Sequence, residues 1–160
     1  MKRILVLCPY PENVAPTQRL KYEQYFPHFR QAGYSLTVSP FMSARMWRIV
    51  YKPKRVWEKA FWVMAGYLRR LFDLARAPFY DGLYVSLWIT PFGAGLFERL
   101  FVLANRRVVY DIDDLVFLGK TSTANRFARF LKSPEKYHYL MRAARHVITC
   151  TPHLDAYVRK

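Results

Sequence analysis

Short aliphatic runs alternate with helix-length segments along this chain, and this alternation constrains the fold more than any other feature. Five runs have the length and composition of strands: 3–8, 34–41, 82–90, 107–112 and 146–150. The segments that we predict as helices are about 19–33, 44–76 with a break at Pro53, 95–105, 122–132 and 135–145, followed by a last helix that Thr151 caps and Pro152 opens. Because parallel strands need crossover connections, the alternation predicts an α/β fold with helices on both faces of a parallel sheet.

We expect this sheet to be Rossmann-like, with about five strands in the order 3-2-1-4-5. Ligands of such folds bind beyond the carboxyl ends of the strands, where the strand order reverses. The loops at that edge are 9–19, 90–95 and 111–122. The same order separates Cys8 from Cys150, both inside predicted strands, by two strand spacings of about 4.8 Å. That separation of roughly 10 Å is too large for a disulfide.

Length and charge limit the class of protein. With 160 residues the chain suits one domain, and 26 basic against 11 acidic residues give a net charge of +15. A charge of this size indicates an anionic partner. No apolar run is long enough to span a bilayer, and the apolar stretch 4–8 is too short for a signal peptide. We therefore expect a cytoplasmic protein.

Glycine is absent from the loop after the first strand, which argues against a dinucleotide cofactor. The segment "CPYPENVAPTQR" offers no place for backbone to approach a pyrophosphate, and we expect no cofactor. Gly93 and Gly95 do precede a predicted helix, in "TPFGAGLFERL". Gly93 is therefore a candidate for holding an anion at a helix N-terminus. A turn that needs glycine explains the same pattern equally well.

Three acids close the fourth predicted strand, in "VVYDIDDLVF": Asp111, Asp113 and Asp114. An aspartyl-nucleophile phosphatase would need a threonine where Leu115 stands. Asp111 and Asp113 share one face of the strand and suit a hard cation, but no third ligand is evident, so we expect no metal. Two interpretations stay open. One acid meets a hydroxylated substrate in a cleft, or Asp113 and Asp114 only form capping and loop hydrogen bonds.

Several of these segments, taken in order along nearly the whole chain, resemble the N-terminal domain of family-4-type retaining glycosyltransferases with the GT-B fold. The most specific are "ILVLCPYP…PTQR", "VVYDIDD" and "AARHVITCT". The resemblance implies that residues 1–160 are an acceptor-binding domain. The nucleotide-sugar donor would be held by a C-terminal domain absent from this chain, so the chain alone would be inactive.

The resemblance also suggests residue roles. Many relatives end the fourth strand in a His-Asp pair; Asp113 takes the place of the histidine and Asp114 that of the aspartate. We expect Asp113 to orient the hydroxyl of a glycan or lipid-linked acceptor while the departing diphosphate helps to take its proton. We expect phosphate contacts at the start of the first helix, including one from Arg19. The alternative is that Arg19 is an ordinary surface arginine of this helix. The full predicted substrate-binding set is Thr17, Gln18, Arg19, Asp111, Asp114 and Gly93.

Residues 45–76 combine aromatic residues with nine Lys or Arg against two acids. One helical stripe comprises Trp57, Phe61, Met64, Leu68 and Phe72. Core packing explains this stripe, and so does a helix that lies in an anionic membrane interface. The predicted membrane-contact residues are Trp47, Arg48, Trp57, Lys59, Trp62, Arg69 and Arg70. Such contact would place the domain peripherally on the inner face of the cell membrane, near a lipid-linked acceptor such as a growing surface polysaccharide.

The alternative function is a basic nucleic-acid-binding domain or a non-catalytic scaffold. Net charge +15 and 18% aromatic residues permit phosphate contacts and base stacking. However, the chain has no zinc-ligand spacing, no aromatic RNP-like strand and no basic tail. The acids at the predicted ligand edge would also repel phosphates. We therefore expect no nucleic-acid partner.

Overall fold

The computed structural model of this chain describes residues 1–114 and 134–159. Its strands are β1 (Lys2–Cys8), β2 (Tyr34–Pro40), β3 (Gly82–Ser86), β4 (Val108–Ile112) and β5 (His146–Thr149). Its α-helices are α1 (Pro16–Lys21), α2 (Phe26–Gln31), α3 (Ala44–Val50), α4 (Val56–Arg76), α5 (Leu96–Ala104), α6 (Glu135–Ala143) and α7 (Pro152–Val158). Short 3₁₀ turns span Glu23–Tyr25 and Ala77–Phe79. The helix predicted at 122–132 lies outside the described residues.

All neighbouring strands are parallel, and their order is β2-β1-β3-β4-β5. The predicted Rossmann-like α/β sheet is confirmed, but the predicted order 3-2-1-4-5 is wrong. The third strand pairs directly with β1, from Ile4 opposite Gly82 to Leu7 opposite Val85. The helix that connects β2 to β3 is α4, whose Arg70 donates hydrogen bonds to Ser39 O in β2, Cys8 O in β1 and Ile89 O in the loop after β3. This crossover helix therefore carries the chain over β1, and the strand order reverses between β1 and β3.

Strand alternation divides the core between the two faces of the sheet. On one face, strand side chains such as Leu5, Leu7 and Val85 pack against Phe101 of α5 and Leu140 of α6. On the other face, Val6 and Cys8 pack against the aromatic rings of Tyr22 and Phe26. A third cluster, built on Phe41, Met46, Trp88 and Tyr137, joins α3 and α4 to the loop after β3. Helices thus cover both faces, as predicted.

The single helix predicted over 19–33 is divided in the structure. α1 starts earlier, with Pro16 in its first turn, and ends where Tyr22 leaves the helical conformation. Pro27 lies in the first turn of α2, a position at which proline favours helix initiation instead of kinking the helix. Gly33, with φ of +85°, follows the end of α2. The helical segment therefore ends next to Gly33, in agreement with the predicted range 19–33, and Pro27 lies at the start of a second helix within that range.

Two local predictions about helix ends are confirmed. α3 ends at Val50 and α4 begins at Val56, on either side of Pro53. Thr151 Oγ1 accepts a hydrogen bond from Leu154 N at 3.2 Å, so it caps α7 as predicted.

Cys8 and Cys150 are free thiols; Cys8 ends β1 and Cys150 follows β5, with β3 and β4 between these two strands. The prediction that both lie inside strands is wrong for Cys150, which follows β5 and is exposed. Its Sγ donates to the carbonyl oxygen of Asp113 at 2.7 Å. In the part of the chain that the structure describes, no helix combines the length and the apolar character that crossing a bilayer requires.

Candidate functional site

A small cleft opens at the carboxyl edge of the sheet, at the β1/β3 point where the strand order reverses. Its lining comes from the loop after β1, the start of α1, the end of β3 and the end of β4: Pro9, Tyr10, Thr17, Gln18, Ser86, Leu87 and Asp113. The cavity volume is about 20 Å³. A cavity of this size holds about one water molecule or one hydroxyl group. The cleft therefore lies at the predicted ligand edge, although the predicted strand order was wrong.

Two of the three acids at the end of β4 meet the same cation. Lys21, the last residue of α1, lies with its Nζ 2.5 Å from Asp111 Oδ1 and also forms an ion pair with Asp113. It donates a further hydrogen bond to the carbonyl oxygen of Ile112 at 3.2 Å. Tyr84 of β3 donates its hydroxyl to the second oxygen of Asp111. Asp111 in β4 and Asp113 just beyond it thus point to the same side, as their spacing predicted.

Burial and ion pairing act in opposite directions on this cluster. Burial raises the pKa of Asp111, and the hydrogen bonds from Lys21 and Tyr84 limit the rise. Burial disfavours the charged form of Lys21, but Asp111 and Asp113 outweigh that effect and the pKa of Lys21 is raised. The lysine therefore stays cationic and offsets the charge of one of its two carboxylates.

Asp113 is the acid that faces the cleft. Its side chain is 28% exposed, whereas that of Asp111 is 1% exposed and consumed by its two partners. The predicted substrate contact of Asp111 is therefore wrong, because its carboxylate lies beneath the surface. Asp114 is exposed next to the cleft and is absent from its lining.

Gln18 shapes the cleft from within the first loop. Its Nε2 donates to Tyr10 O at 2.9 Å and to Glu23 Oε1 at 2.6 Å, and its Oε1 accepts from Tyr10 N at 3.4 Å. Gln18 is buried, and these hydrogen bonds use both its amide oxygen and its amide nitrogen. Its side chain therefore holds the first loop against α1, whereas the sequence predicted a substrate ligand. Thr17 is exposed and lines the cleft, whereas Arg19 is exposed on α1 outside the lining.

Lys21 was not among the predicted site residues. Lysines usually lie at the surface, and a single helix over 19–33 gives no sign that Lys21 reaches the end of β4. The available signal was its spacing from Gln18, since residues three apart share a helix face.

The start of α5, where Gly93 was predicted to hold an anion, already carries a buried carboxylate of the chain. Glu98, in the first turn of α5, is buried, and its Oε1 accepts from Thr90 N at 3.2 Å and from Thr90 Oγ1 at 3.3 Å. This negative charge at the start of α5 would repel a phosphate. Gly93, with φ of +108° and open space around it, therefore serves the turn. Gly95 is the constrained glycine, because a Cβ there would lie 3.2 Å from Lys136 Cβ.

Within 1–114 and 134–159, no three His, Cys, Asp or Glu side chains converge as a ligand set.

The predicted membrane-contact residues divide into exposed and packed groups. Arg48, Trp57 and Arg69 are exposed, and Lys59 is partly exposed. Trp62 packs against the third core cluster, and Trp47 packs edge-on against Tyr10 with ring centres 5.0 Å apart.

Arg70 is fully buried, so its predicted membrane contact is wrong. Its guanidinium is needed to satisfy the carbonyl groups at the strand ends. Core packing is also the wrong explanation for the stripe that begins at Trp57, because all five of its side chains are exposed.

Comparison with known proteins adds no relative. No protein-family model matches this chain, and no curated protein sequence matches it. The fold and the cleft therefore define its class as a Rossmann-like α/β domain with an acidic, partly neutralised cleft at the topological switch point.

Proposed function

We propose that residues 1–160 form the acceptor-binding side of a glycosyltransferase that moves a sugar from a nucleotide-sugar to a glycan or lipid-linked acceptor. The observation that carries this proposal is the position of Asp113, a partly exposed carboxylate in a hydroxyl-sized cleft at the switch point. The resemblance of "VVYDIDD" and of the first loop to family-4-type retaining enzymes supports the same assignment.

The cleft offers groups suited to a single acceptor hydroxyl. Asp113 accepts a hydrogen bond from that hydroxyl, and the Thr17 and Ser86 hydroxyls line the same space. Lys21 holds the carboxylate in place by its ion pair and offsets its charge. A carboxylate fixed in this way orients the nucleophilic oxygen toward the donor. On the resemblance, the departing diphosphate takes the proton.

Acceptor binding tests the role of Asp113 directly. The probes are free mono- and disaccharides and their short-chain lipid-linked forms, titrated into the 160-residue chain and followed by NMR. We expect Asp113→Asn to weaken binding about 10-fold or more, since a hydrogen bond to a charged group is worth about 1.5–3 kcal/mol. Asp81→Asn, at an exposed aspartate before the amino end of β3 and thus at the opposite edge of the sheet, is the matched control and should bind as the wild type does. Equal affinities for all three proteins would contradict the proposal.

A second experiment tests whether acceptor and donor bind to separate domains. On this proposal the nucleotide-sugar binds to a donor domain outside residues 1–160. The chain alone, mixed with a panel of nucleotide-sugars and the same acceptors, should give no transfer. Robust turnover would overturn the assignment of this domain to the acceptor alone.

A further inference from the structure

The outward face of α4 carries large apolar side chains that stay exposed across residues 1–114 and 134–159. Their exposed fractions run from 51% at Leu71 to 88% at Trp57. We call this set the α4 ridge: Trp57, Phe61, Met64, Leu68, Leu71 and Phe72. Its side chains are therefore available for contact with a partner.

The geometry of α4 makes the ridge continuous. At 100° per residue its six side chains fall within an arc of about 100°, and they extend over about 22 Å of the helix axis. The opposite side of α4 is the packed one, with Gly66, Arg70 and Asp73 buried. The helix thus has two functional faces, one that builds the core and one that folding does not use. A contiguous exposed apolar surface of this kind marks an interaction site.

Cations border the ridge at its N-terminal end and along one side. Lys52, Lys54 and Arg55 are exposed in the turn and cap that precede α4. Arg69 and Arg76 follow the flank next to Phe72, and the Arg76 guanidinium lies 4.5 Å from the centre of the Phe72 ring. The two acids of residues 45–76 are both already paired, Glu58 with Arg55 and Asp73 with Arg70 and Arg76. Because Glu58 offsets Arg55 and Asp73 is shared by Arg70 and Arg76, the net positive charge of the border comes mainly from Lys52, Lys54 and Arg69.

We propose that the α4 ridge docks on the surface of an anionic lipid bilayer. The apolar side chains enter the boundary between headgroups and acyl chains, and the bordering lysines and arginines meet lipid phosphates. Charge complementarity selects this occupant. A second copy of the chain would bring one positive border against another, and a neutral apolar partner would leave the cations without counter-charges.

Three aromatic rings run from the cleft to the segment that precedes α4. The Tyr10 ring lines the cleft and lies 5.0 Å from the Trp47 ring, which lies 5.7 Å from the ring of the exposed Tyr51. Docking through α4 would therefore bring the first loop toward the bilayer and present the cleft to a lipid-linked acceptor. This orientation rests on the proposed function, whereas docking itself does not.

Vesicle co-sedimentation of the 160-residue chain tests the proposal. The probes are phosphatidylcholine vesicles with and without phosphatidylglycerol, at about 0.05 M and about 0.5 M salt. We expect binding to the anionic vesicles that weakens at high salt. The variant Phe61→Ser/Leu68→Ser/Phe72→Ser should lose at least about 10-fold in partition, since each side chain removed would have transferred apolar area into lipid.

A matched control uses exposed apolar residues away from the ridge. Leu96 and Leu103 on α5 are 62% and 70% exposed, so Leu96→Ser/Leu103→Ser changes similar surface and should bind as the wild type does. Circular dichroism verifies that each variant is folded. Equal binding to neutral vesicles, or equal losses in the ridge and control variants, would overturn the proposal.

Two further measurements complete the test. Trp57 emission should shift to the blue on anionic vesicles, and Trp57→Phe should remove that part of the shift while vesicle binding persists. Sedimentation equilibrium without lipid should give a monomer. A dimer that the ridge variant abolishes would instead assign the ridge to a second copy. Binding results are independent of sugar transfer, so either proposal can fail without the other.

Discussion

Lys21 at the end of α1 forms an ion pair with Asp111 at the end of β4, with Nζ 2.5 Å from Oδ1. The contact spans β3, since β4 lies two places from β1 in the sheet. The side chain of Asp111 is 1% exposed and that of Lys21 is 18% exposed. A buried carboxylate at the floor of the site therefore depends on a cation from the first helix, which links the placement of α1 to the charge state of the cleft.

Replacing Lys21 should destabilise the fold in a pH-dependent way. Lys21→Met leaves the buried Asp111 with Tyr84 as its donor, and we expect a loss of about 3 kcal/mol in the free energy of unfolding at neutral pH. Without the cation, burial raises the pKa of Asp111 further above its ordinary 3.8. A carboxyl group with a raised pKa favours folding at low pH and loses that contribution as pH rises. Urea unfolding at several acidic pH values should show the deficit growing with pH.

The double variant provides the control for this ion pair. Lys21→Met/Asp111→Asn removes both charges, so it should be more stable at neutral pH than Lys21→Met alone, and its deficit should not grow with pH. A deficit in Lys21→Met that is the same at every pH would mean that Asp111 does not need the lysine.

Arg70 should be among the least replaceable side chains of the fold. Its guanidinium donates to Cys8 O at 3.0 Å, Ser39 O at 3.0 Å, Ile89 O at 2.9 Å and Asp73 Oδ2 at 3.0 Å, all in the interior. Arg70→Met removes the side-chain donor from three carbonyl groups and leaves the buried Asp73 carboxylate with Arg76 and the Ser39 hydroxyl, so it should cost about 3–5 kcal/mol in urea unfolding.

Two comparison variants isolate the geometry of the guanidinium. Arg70→Lys keeps the charge but not the planar fork, so it should also be strongly destabilised. Arg69→Met is the matched control. That arginine is exposed, with one hydrogen bond to Pro40 O at 2.8 Å, and its loss should cost less than about 1 kcal/mol. Similar losses at positions 69 and 70 would refute the role assigned to Arg70.

Local features of this fold are predictable from sequence because they depend on neighbouring residues. The five strands follow from runs of aliphatic residues, the break before α4 from Pro53, and the start of α7 from Thr151. The common face of Asp111 and Asp113 follows from the two-residue period of a strand. Each of these requires only the chemistry of a short segment.

The strand order and the orientation of α4 depend on distant contacts and could not be read in the same way. A crossover of given length can place β3 on either side of the β1–β2 pair. α4 has apolar residues on two faces, and periodicity alone does not say which face meets the core. The face that meets the core carries Arg70, which donates to carbonyls in β1, in β2 and in the loop after β3, whereas an arginine is ordinarily assigned to the surface. The spacing of Arg70 and Asp73, three apart, was the available signal.

Gly66 should resist substitution although it lies inside a helix. A Cβ at this position would lie 2.7 Å from Phe41 Cζ, so α4 approaches the buried ring closely. Alanine has the better helix propensity by about 1 kcal/mol, but overpacking costs about 1–3 kcal/mol, and we expect Gly66→Ala to lose stability overall. Thermal and urea unfolding measure the change. Combining Gly66→Ala with Phe41→Leu should cost less than the sum of the two single changes, and a more stable Gly66→Ala would show that the ring can move aside.

Cys8 should make the fold sensitive to alkaline pH. Burial raises the pKa of its thiol from 9.0 to about 12, so the folded state keeps a proton that the unfolded chain releases. Stability should therefore fall as pH rises from about 9 towards 12, by up to about 1.4 kcal/mol per pH unit from this group. Cys8→Ala should reduce that slope, whereas Cys150→Ala, at an exposed thiol, should not.

An aromatic disulfide reagent at pH 8 provides the matching accessibility test, because native protein should react rapidly at Cys150 and react at Cys8 only on unfolding. Rapid reaction of both thiols, or equal slopes for the two alanine variants, would contradict the burial of Cys8.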